Sequence, residues 1–250
     1  MKQTVTVTTD FGDQFATSQL RAVMAALGFE GNVIENHSVT FPSITEGAFE
    51  IKILSRYSPD NTVHVGVIDP GVGSARRGIV IKTKKSYFVG PDNGLFFPVA
   101  QEEGIEKVWQ LVETHVSSEV SNTFHGRDVF IKAGVFLGMG QKPEDFGSIP
   151  VEISSLVPLE FKQGQIVHVD NYGNIKVNWQ GNLKLGEKLK VTSRKGTFEV
   201  PIVKTFSEVS PNMPVALMGS SGTLELAVNL GRGDTFYGVK LEDVLTIEQI

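Results

Sequence analysis

The sequence predicts an α/β domain with a mainly parallel sheet over residues 1–158, followed by a small antiparallel barrel or sandwich over residues 163–250. Three observations carry that prediction. In the first half, runs with strand periodicity alternate with runs whose apolar residues recur at helical spacing, as expected for strands joined by covering helices. Past Pro158 the helical spacing disappears, and short alternating runs are broken by turn-forming clusters. The 26 glycines cluster in polar loops between apolar runs, where a ligand can approach the backbone.

Taken in order, residues 4–8 form a strand, and residues 18–27 form a helix that puts Leu20, Val23, Met24 and Leu27 on one face. Residues 33–35 make a short strand. Residues 44–55 make a helix, with Thr45 and Glu46 near its start and Ala48, Ile51 and Leu54 on one side. The run TVHVGVI, residues 62–68, is a buried strand feeding the loop from Asp69 to Arg77. Residues 79–83 and 87–89 form a hairpin around Lys84, Lys85 and Ser86, and residues 127–137 form a helix stopped by Gly138, Gly140 and Pro143. From Gly164 onward, QIVHVD, NIKVNW, KLKVTS, TFEVPIV, PVALMG, TLELAV and DTFYGVK are each expected as strands. NYGN, KLGE, RKGT, SPNMP and GSSG separate them. The domain boundary falls at residues 158–163, and there is no internal repeat.

Composition narrows the chemistry. The chain has 250 residues, and 23 basic against 28 acidic side chains give a net charge of −5, which offers no electrostatic footprint for a polyanion; nucleic acid is not an expected partner. The absence of cysteine excludes disulfides, thiolate metal ligands and a cysteine nucleophile. No apolar run reaches the ~18 residues of a membrane span, and the opening MKQTVTVTTDFGDQF alternates like a strand, so a soluble, cytoplasmic protein without a membrane partner is expected. A metal is not expected either: there is no HExxH, and the histidines at 37, 64, 115, 125 and 168 show no ligand spacing.

The loop DPGVGSARRG, residues 69–78, holds a GxG after a strand. Arg76 occupies the place of the third glycine of a dinucleotide fingerprint, and a strand follows where a helix is needed, so the fingerprint fails. What remains is a carboxylate, Asp69, at the end of a parallel strand, with Arg76 seven residues on and able to fold back to it; a ligand site and a salt bridge closing the turn are both open. TFHGRD places His125 at the mouth of a helix beside Gly126, as a functional or a structural histidine. TTDFGD ends the first strand with Asp10 and Asp13; Asp10 is either an acceptor for a ribose diol or a helix cap. GPDNG and DNYGN are turn signals in their own right.

The blocks TTDFGD, HSVTFPSITEGAF, VHVGVIDPGVGSARR, VGPDNGLF, SNTFHGRDVF, DNYGNI and GSSGTLELAVNLG, in this order over nearly the whole chain, resemble the S-adenosyl-L-methionine hydrolases (adenosine-forming), also called SAM hydroxide adenosyltransferases. That family is related to fluorinating and chlorinating enzymes that attack the same carbon with halide. The resemblance implies an α/β N-terminal domain, a β-barrel C-terminal domain, a homotrimer with active sites at subunit interfaces, and S-adenosyl-L-methionine as substrate with no cofactor. It also implies a catalytic triad of Asp69, Arg76 and His125. By the same carry-over, Asp10 meets the ribose hydroxyls, Phe124 and Gly126 shape the pocket, Asp170 and Asn174 take the amino group of the methionine part, Ser220 lies near its carboxylate, and Phe206 neighbours the adenine. Family halogenases replace the triad and carry an extra loop; no long insertion separates Gln101 from Thr123 here, which favours the hydroxide-using branch. Ser221 stands where the halogenases have an arginine, and Phe41-Pro42 stands at their tryptophan-bearing segment.

The implied reaction is attack of water-derived oxygen at the 5′ carbon of the substrate. Its leaving group is already cationic and needs no acid, so the difficulty lies with the nucleophile. Arg76 would stabilise developing hydroxide, with Asp69 and His125 orienting the water and taking its proton; the base is either of the two. Phe124 and Val72 would keep the pocket dry, and the glycines at 71, 73 and 126 would let backbone close around the carbon. Halide transfer on the same substrate, a non-catalytic S-adenosylmethionine or adenosine sensor and a purely structural trimer are the competing readings.

Overall fold

The computed structural model describes residues 3–12 and 14–250 and divides into a first compact unit running to Glu160 and a second from Phe161 to Ile250. The first unit contains, in chain order, β1 (Thr4–Thr9), α1 (Gln14–Ala26), β2 (Asn32–Asn36), α2 (Ile44–Tyr57), β3 (Val63–Val67), β4 (Gly78–Thr83), β5 (Tyr87–Pro91), α3 (Phe97–Glu103), β6 (Ile105–Gln110), α4 (Glu113–Val116), α5 (Ile131–Gly138) and β7 (Ile149–Val151). One seven-stranded sheet runs β2-β1-β3-β5-β4-β6-β7. The pairs β1/β2, β1/β3 and β3/β5 are parallel, while β4 and β7 run against their neighbours, so five strands point the same way.

Burial explains why the central strands read as they do. All six residues of β1 and all five of β3 are buried, which only a sheet covered on both faces allows. Val5, Val7, Val63 and Val65 share a core with Leu20 and Met24 of α1 and Ala133 and Val135 of α5. Gly134 lets α5 approach the sheet, since a Cβ there would lie 2.3 Å from Val65 Cγ2.

Several element bounds shift from their expected places for identifiable reasons. α1 begins at Gln14, not at 18, because the Thr17 and Ser18 hydroxyls donate back to the Gln14 and Phe15 carbonyls at 3.2 and 2.9 Å instead of capping an end. α2 starts at its expected residue, where the Ser43 hydroxyl accepts the Glu46 N–H at 3.1 Å. The helix expected over residues 127–137 opens as a π-helical turn, Gly126–Phe130, before α5. α3, α4, β6 and β7 have no counterpart in the sequence reading; β6 (IEKVWQ) interleaves charge with only two buried residues.

The second unit contains β8 (Gln165–Val169), β9 (Ile175–Asn178), β10 (Lys188–Ser193), β11 (Gly196–Pro201), β12 (Pro214–Met218), β13 (Leu224–Val228), α6 (Gly233–Tyr237) and β14 (Thr246–Gln249). They form two antiparallel sheets, β12-β13-β9-β8 and β11-β10-β14, around a core that includes Ile166, Val177, Val191, Val200 and Leu226. Single bridges, Gln165 with Val244 and Ile202 with Ala216, link residues of one sheet to segments flanking the other.

DTFYGVK is not the expected strand. Its first four residues lie in α6, where Asp234 Oδ1 accepts the Thr235 N–H and Gly238 closes the end in the left-handed region at φ 63°. Alternation would send Phe236 and Tyr237 to opposite faces, yet both rings pack against Phe198 in the same core. Among the described residues, no helix is long and apolar enough to cross a membrane.

Candidate active site

The first cavity lies where the sheet order reverses. β1 has β2 on one side and β3 on the other, and at such a switch point the carboxyl ends of the strands leave a crevice. Thr9 and Val67 are paired across β1 and β3, so Asp10 and Asp69 emerge from adjacent strand ends. Asp13, the other carboxylate of that block, lies outside the described residues.

The loop after β3 folds back on itself through Val72 N–H to the Asp69 carbonyl at 3.2 Å and Ser74 N–H to the Gly71 carbonyl at 3.0 Å. Gly73 is required here: its φ is +75°, and a Cβ would sit 2.4 Å from the Asn122 carbonyl oxygen. The fold returns Arg76 to Asp69. Arg76 Nε donates to Oδ1 and Oδ2 at 3.0 and 2.9 Å, and Nη2 donates to Oδ2 at 2.6 Å. The same Nη2 reaches His125 Nδ1 at 2.8 Å, and the guanidinium lies 5.0 Å over the Phe130 ring. The side chains of Asp69, Arg76 and His125 are only 5%, 9% and 6% exposed, so these charge-assisted contacts form in a poorly hydrated setting. Of the salt bridge that closes the turn, Asp69 is also part of the wall of the site.

A cavity of about 390 Å³ opens on this cluster. Its polar lining includes Asp10, Asp69 and His125, and its apolar lining Phe11, Phe41, Val72 and Phe124. Phe11 and Phe124 meet edge to face at 5.6 Å. Gly126 forms part of the wall, and a Cβ there would come within 2.8 Å of Val67 Cγ1. Burial pushes the Asp10 carboxyl above its ordinary value, and the negative charge of Asp69 adds to the push, against an opposing backbone hydrogen bond.

In the second unit, Asp170 and Asn174 close the β8–β9 hairpin. Asp170 Oδ1 accepts the backbone N–H groups of Tyr172 and Asn174 at 2.9 and 3.0 Å, and Oδ2 accepts Asn174 Nδ2 at 3.0 Å. The turn is therefore self-sufficient, and it also borders a cavity of about 820 Å³ whose lining includes Ser220 and Phe206. Six of the residues singled out in the sequence, Asp10, Asp69, Arg76, Phe124, His125 and Gly126, thus gather in the first unit, and four, Asp170, Asn174, Phe206 and Ser220, in the second. GPDNG is structural: Asp92 pairs with Arg77 and accepts the Val157 N–H at 3.0 Å.

Three charged residues near these cavities escaped the sequence reading. Glu113 Oε1 lies 3.1 Å from His125 Nδ1 and 3.6 Å from Arg76 Nη1. Lys176 and Glu225, cross-strand partners on β9 and β13, form a buried ion pair on the second cavity, with Lys176 Nζ 3.7 Å from Asp170 Oδ2. Lys176 alternates with apolar neighbours in an ordinary strand pattern, and Glu113 stands in a polar stretch without periodicity, so only the fold reveals them.

Two family models match the chain: SAM hydroxide adenosyltransferase N-terminal domain over residues 5–147 and SAM hydroxide adenosyltransferase C-terminal domain over residues 164–246. A (R)-S-adenosyl-L-methionine hydrolase of Thermus thermophilus is 33% identical over 82% of this chain and 82% of that protein. A fluorinase of an Actinoplanes species is 25% identical over 78% and 79% of the two chains. The crystal structure of an uncharacterized conserved protein from Thermotoga maritima superposes with a TM-score of 0.91 at 28% identity, covering 98% of this chain and all of the other.

Proposed function

The chain belongs to the SAM hydroxide adenosyltransferase family, and on that premise we propose that it hydrolyses S-adenosyl-L-methionine to adenosine and L-methionine. The observation that supports this most directly is the buried Asp69–Arg76–His125 cluster on a cavity whose other carboxylate is Asp10. Water oxygen attacks the ribose 5′ carbon opposite sulfur, the C–S bond breaks with its electron pair going to sulfur, and a proton leaves the water. Sulfur is already positive, so departure needs no acid. Activation of the nucleophile dominates the barrier, because bulk water has a pKa of about 15.7.

Arg76 supplies fixed positive charge where hydroxide develops, and it needs no reorganisation because Asp69 already holds it in a multidentate grip. Asp69 and His125 orient the water and take its proton. Asp10 accepts from the ribose hydroxyls, while Phe124 and Gly126 shape a dry pocket around the reacting carbon. In the second unit, Asp170 and Asn174 are assigned to the amino group of the methionine part, Ser220 to its carboxylate and Phe206 to the adenine face. The proposal includes a homotrimer, a cytoplasmic setting and no metal or organic cofactor. It also takes the two sheets of the second unit as one barrel, closed through the bridges at Gln165 and Ile202.

The decisive experiment is chromatography and mass spectrometry of the products formed from S-adenosyl-L-methionine in ¹⁸O-labelled water. Equal adenosine and methionine, with the label in the 5′ hydroxyl of adenosine, are expected. Label in methionine, or no turnover by protein that demonstrably binds the substrate, would overturn the proposal. A halogenated nucleoside formed with added chloride or fluoride would indicate the halide-using reading instead. Exhaustive chelation should leave the rate unchanged, and sedimentation equilibrium should return three times the 27.3 kDa chain mass.

A further inference from the structure

We infer that His37 is the positioning residue of Asp10: with Thr9 and Glu35 it fixes the loop that carries this carboxylate, so that Asp10 meets the ribose diol already in place. The inference rests on the ribose contact of the hydrolysis proposed above.

Strand register brings these residues together. β1 and β2 pair in parallel as far as Thr8 and Asn36, so the next residues, Thr9 and His37, leave the ladder side by side. Thr9 Oγ1 lies 2.9 Å from His37 Nδ1, and His37 Nε2 lies 3.2 Å from Glu35 Oε1. At the far end Arg21 of α1 donates through Nε to Glu35 Oε2 at 2.6 Å. Donor and acceptor roles follow from that end inward. Burial pushes the Glu35 carboxyl up, but the contacts with Arg21 and His37 outweigh it and hold the group below its ordinary value, so near neutral pH it is ionised and only accepts. His37 Nε2 is therefore the donor to Oε1. In a neutral ring Nδ1 then carries the lone pair, which takes the Thr9 hydroxyl hydrogen, and the hydroxyl oxygen is left to accept the Phe11 N–H at 3.3 Å. No atom in this series has to donate and accept at once through one hydrogen.

The consequence falls on Asp10. Its backbone leaves β1 on one side; on the other, the Thr9 hydroxyl holds the Phe11 N–H and the His37 carbonyl accepts the Gly12 N–H at 3.1 Å. The two residues after Asp10 are thus both tied to His37, one through Thr9 and one directly. Thr9 is fully buried, and the side chains of His37 and Glu35 are only 17% and 15% exposed, so water competes poorly for these bonds. Asp10 and Phe11 line the cavity, and so does Phe41, four residues beyond His37 on the other segment. A carboxylate that accepts two hydroxyls of one sugar needs its position held to within about 0.5 Å, which a loop gains only from ties of this kind. His37 is not among the described residues that line the cavity, so it acts through Asp10.

The test uses the full-length protein, with Thr9→Val and His37→Phe removing the same link from its two ends while keeping side chains of similar shape; should one variant unfold, the other carries the same test. Each should raise the KM for S-adenosyl-L-methionine and the calorimetric Kd for adenosine about tenfold, with kcat within about threefold, because the proposed ribose contact would be made in the ground state and the transition state alike. Thr9→Ser, which restores the hydroxyl, should return both constants to within about twofold of wild type. The deciding measurement is the cycle with Asp10→Ala: in that background Thr9→Val and His37→Phe should each change the adenosine Kd less than about twofold, since the carboxylate they position is gone. A tenfold loss that persists without the Asp10 carboxylate, or wild-type affinity in both variants, would overturn the assignment and leave the hydrolase reading standing. Adenosine bound by a wild type that gives no product from S-adenosyl-L-methionine would remove the hydrolase reading alone, because the affinities still decide the role of His37. Wild type without affinity for adenosine would remove the ribose contact and this role with it.

Discussion

Arg76 is the residue whose replacement is most informative, because it touches both other members of its cluster. Arg76→Lys should lower single-turnover rates at least a hundredfold, since an ammonium cannot bond Asp69 through two nitrogens and still reach His125. Asp69→Asn keeps the side-chain shape but removes its charge, and should cut the chemical step by ~10² or more while leaving substrate affinity within a few-fold. Asp10→Ala should do the reverse and mainly weaken binding, because the proposed ribose contact would be made in the ground state as well as the transition state. If rapid-quench rates for the Asp69 and Arg76 variants stayed near wild type while affinity collapsed, both residues would be ligand contacts and not water activators. The approach of Arg76 to Asp69 was legible in the sequence, since a glycine-rich loop of seven residues after a buried strand has few ways to return. Glu113 was not: it reaches His125 from a helix of four residues whose letters, ETHV, carry no periodicity.

At the scale of elements, the helix–sheet contact at Gly134 sets two effects against each other. In an exposed helix Gly→Ala gains roughly 1 kcal/mol of propensity. Here the added methyl would lie 2.3 Å from Val65 Cγ2, inside a core where Val65 is fully buried, and overpacking typically costs about 1–3 kcal/mol. Gly134→Ala is therefore expected to lower the urea midpoint, and a raised midpoint would show that α5 can shift on the sheet. The strands facing this helix were legible because valines recur at every second position of β1 and β3. α6 was not, because DTFYGVK has strand-forming letters, and its helix depends on the Asp234 contacts and the glycine that ends it. β6 and β7 were hidden for a different reason. They add to the side of the sheet beyond β4 as antiparallel strands, where β6 can carry charge and β7, only the three residues IPV, can lie largely exposed.

For the molecule as a whole, His64 couples stability to pH. It lies in β3 with its ring stacked on Phe88 at 5.1 Å, and burial, helped by the Lys85 charge, lowers its pKa to about 3. The folded value lies below the unfolded one, so the unfolded chain binds the proton first. The contribution of this group is complete above about pH 6.5 and is lost at about 1.4 kcal/mol per pH unit as the pH falls toward 3. His64→Phe keeps the stacking and removes the titration, so the difference between wild type and variant in urea midpoint should shrink or reverse between pH 7 and pH 5. A difference independent of pH would mean that the ring takes up its proton as readily in the fold as in the unfolded chain.

Among the described residues, those lining the switch-point cavity run from Asp10 to Gly126, all within the first compact unit. On the proposed assignment, choice of nucleophile and recognition of the amino-acid end of the substrate would be separately heritable, and recombination near residue 160 would exchange one without rewriting the other. A chimera carrying this first unit and the second unit of a fluorinase relative should still use water, and that outcome would make the nucleophile an attribute of one module, open to change without redesign of its companion.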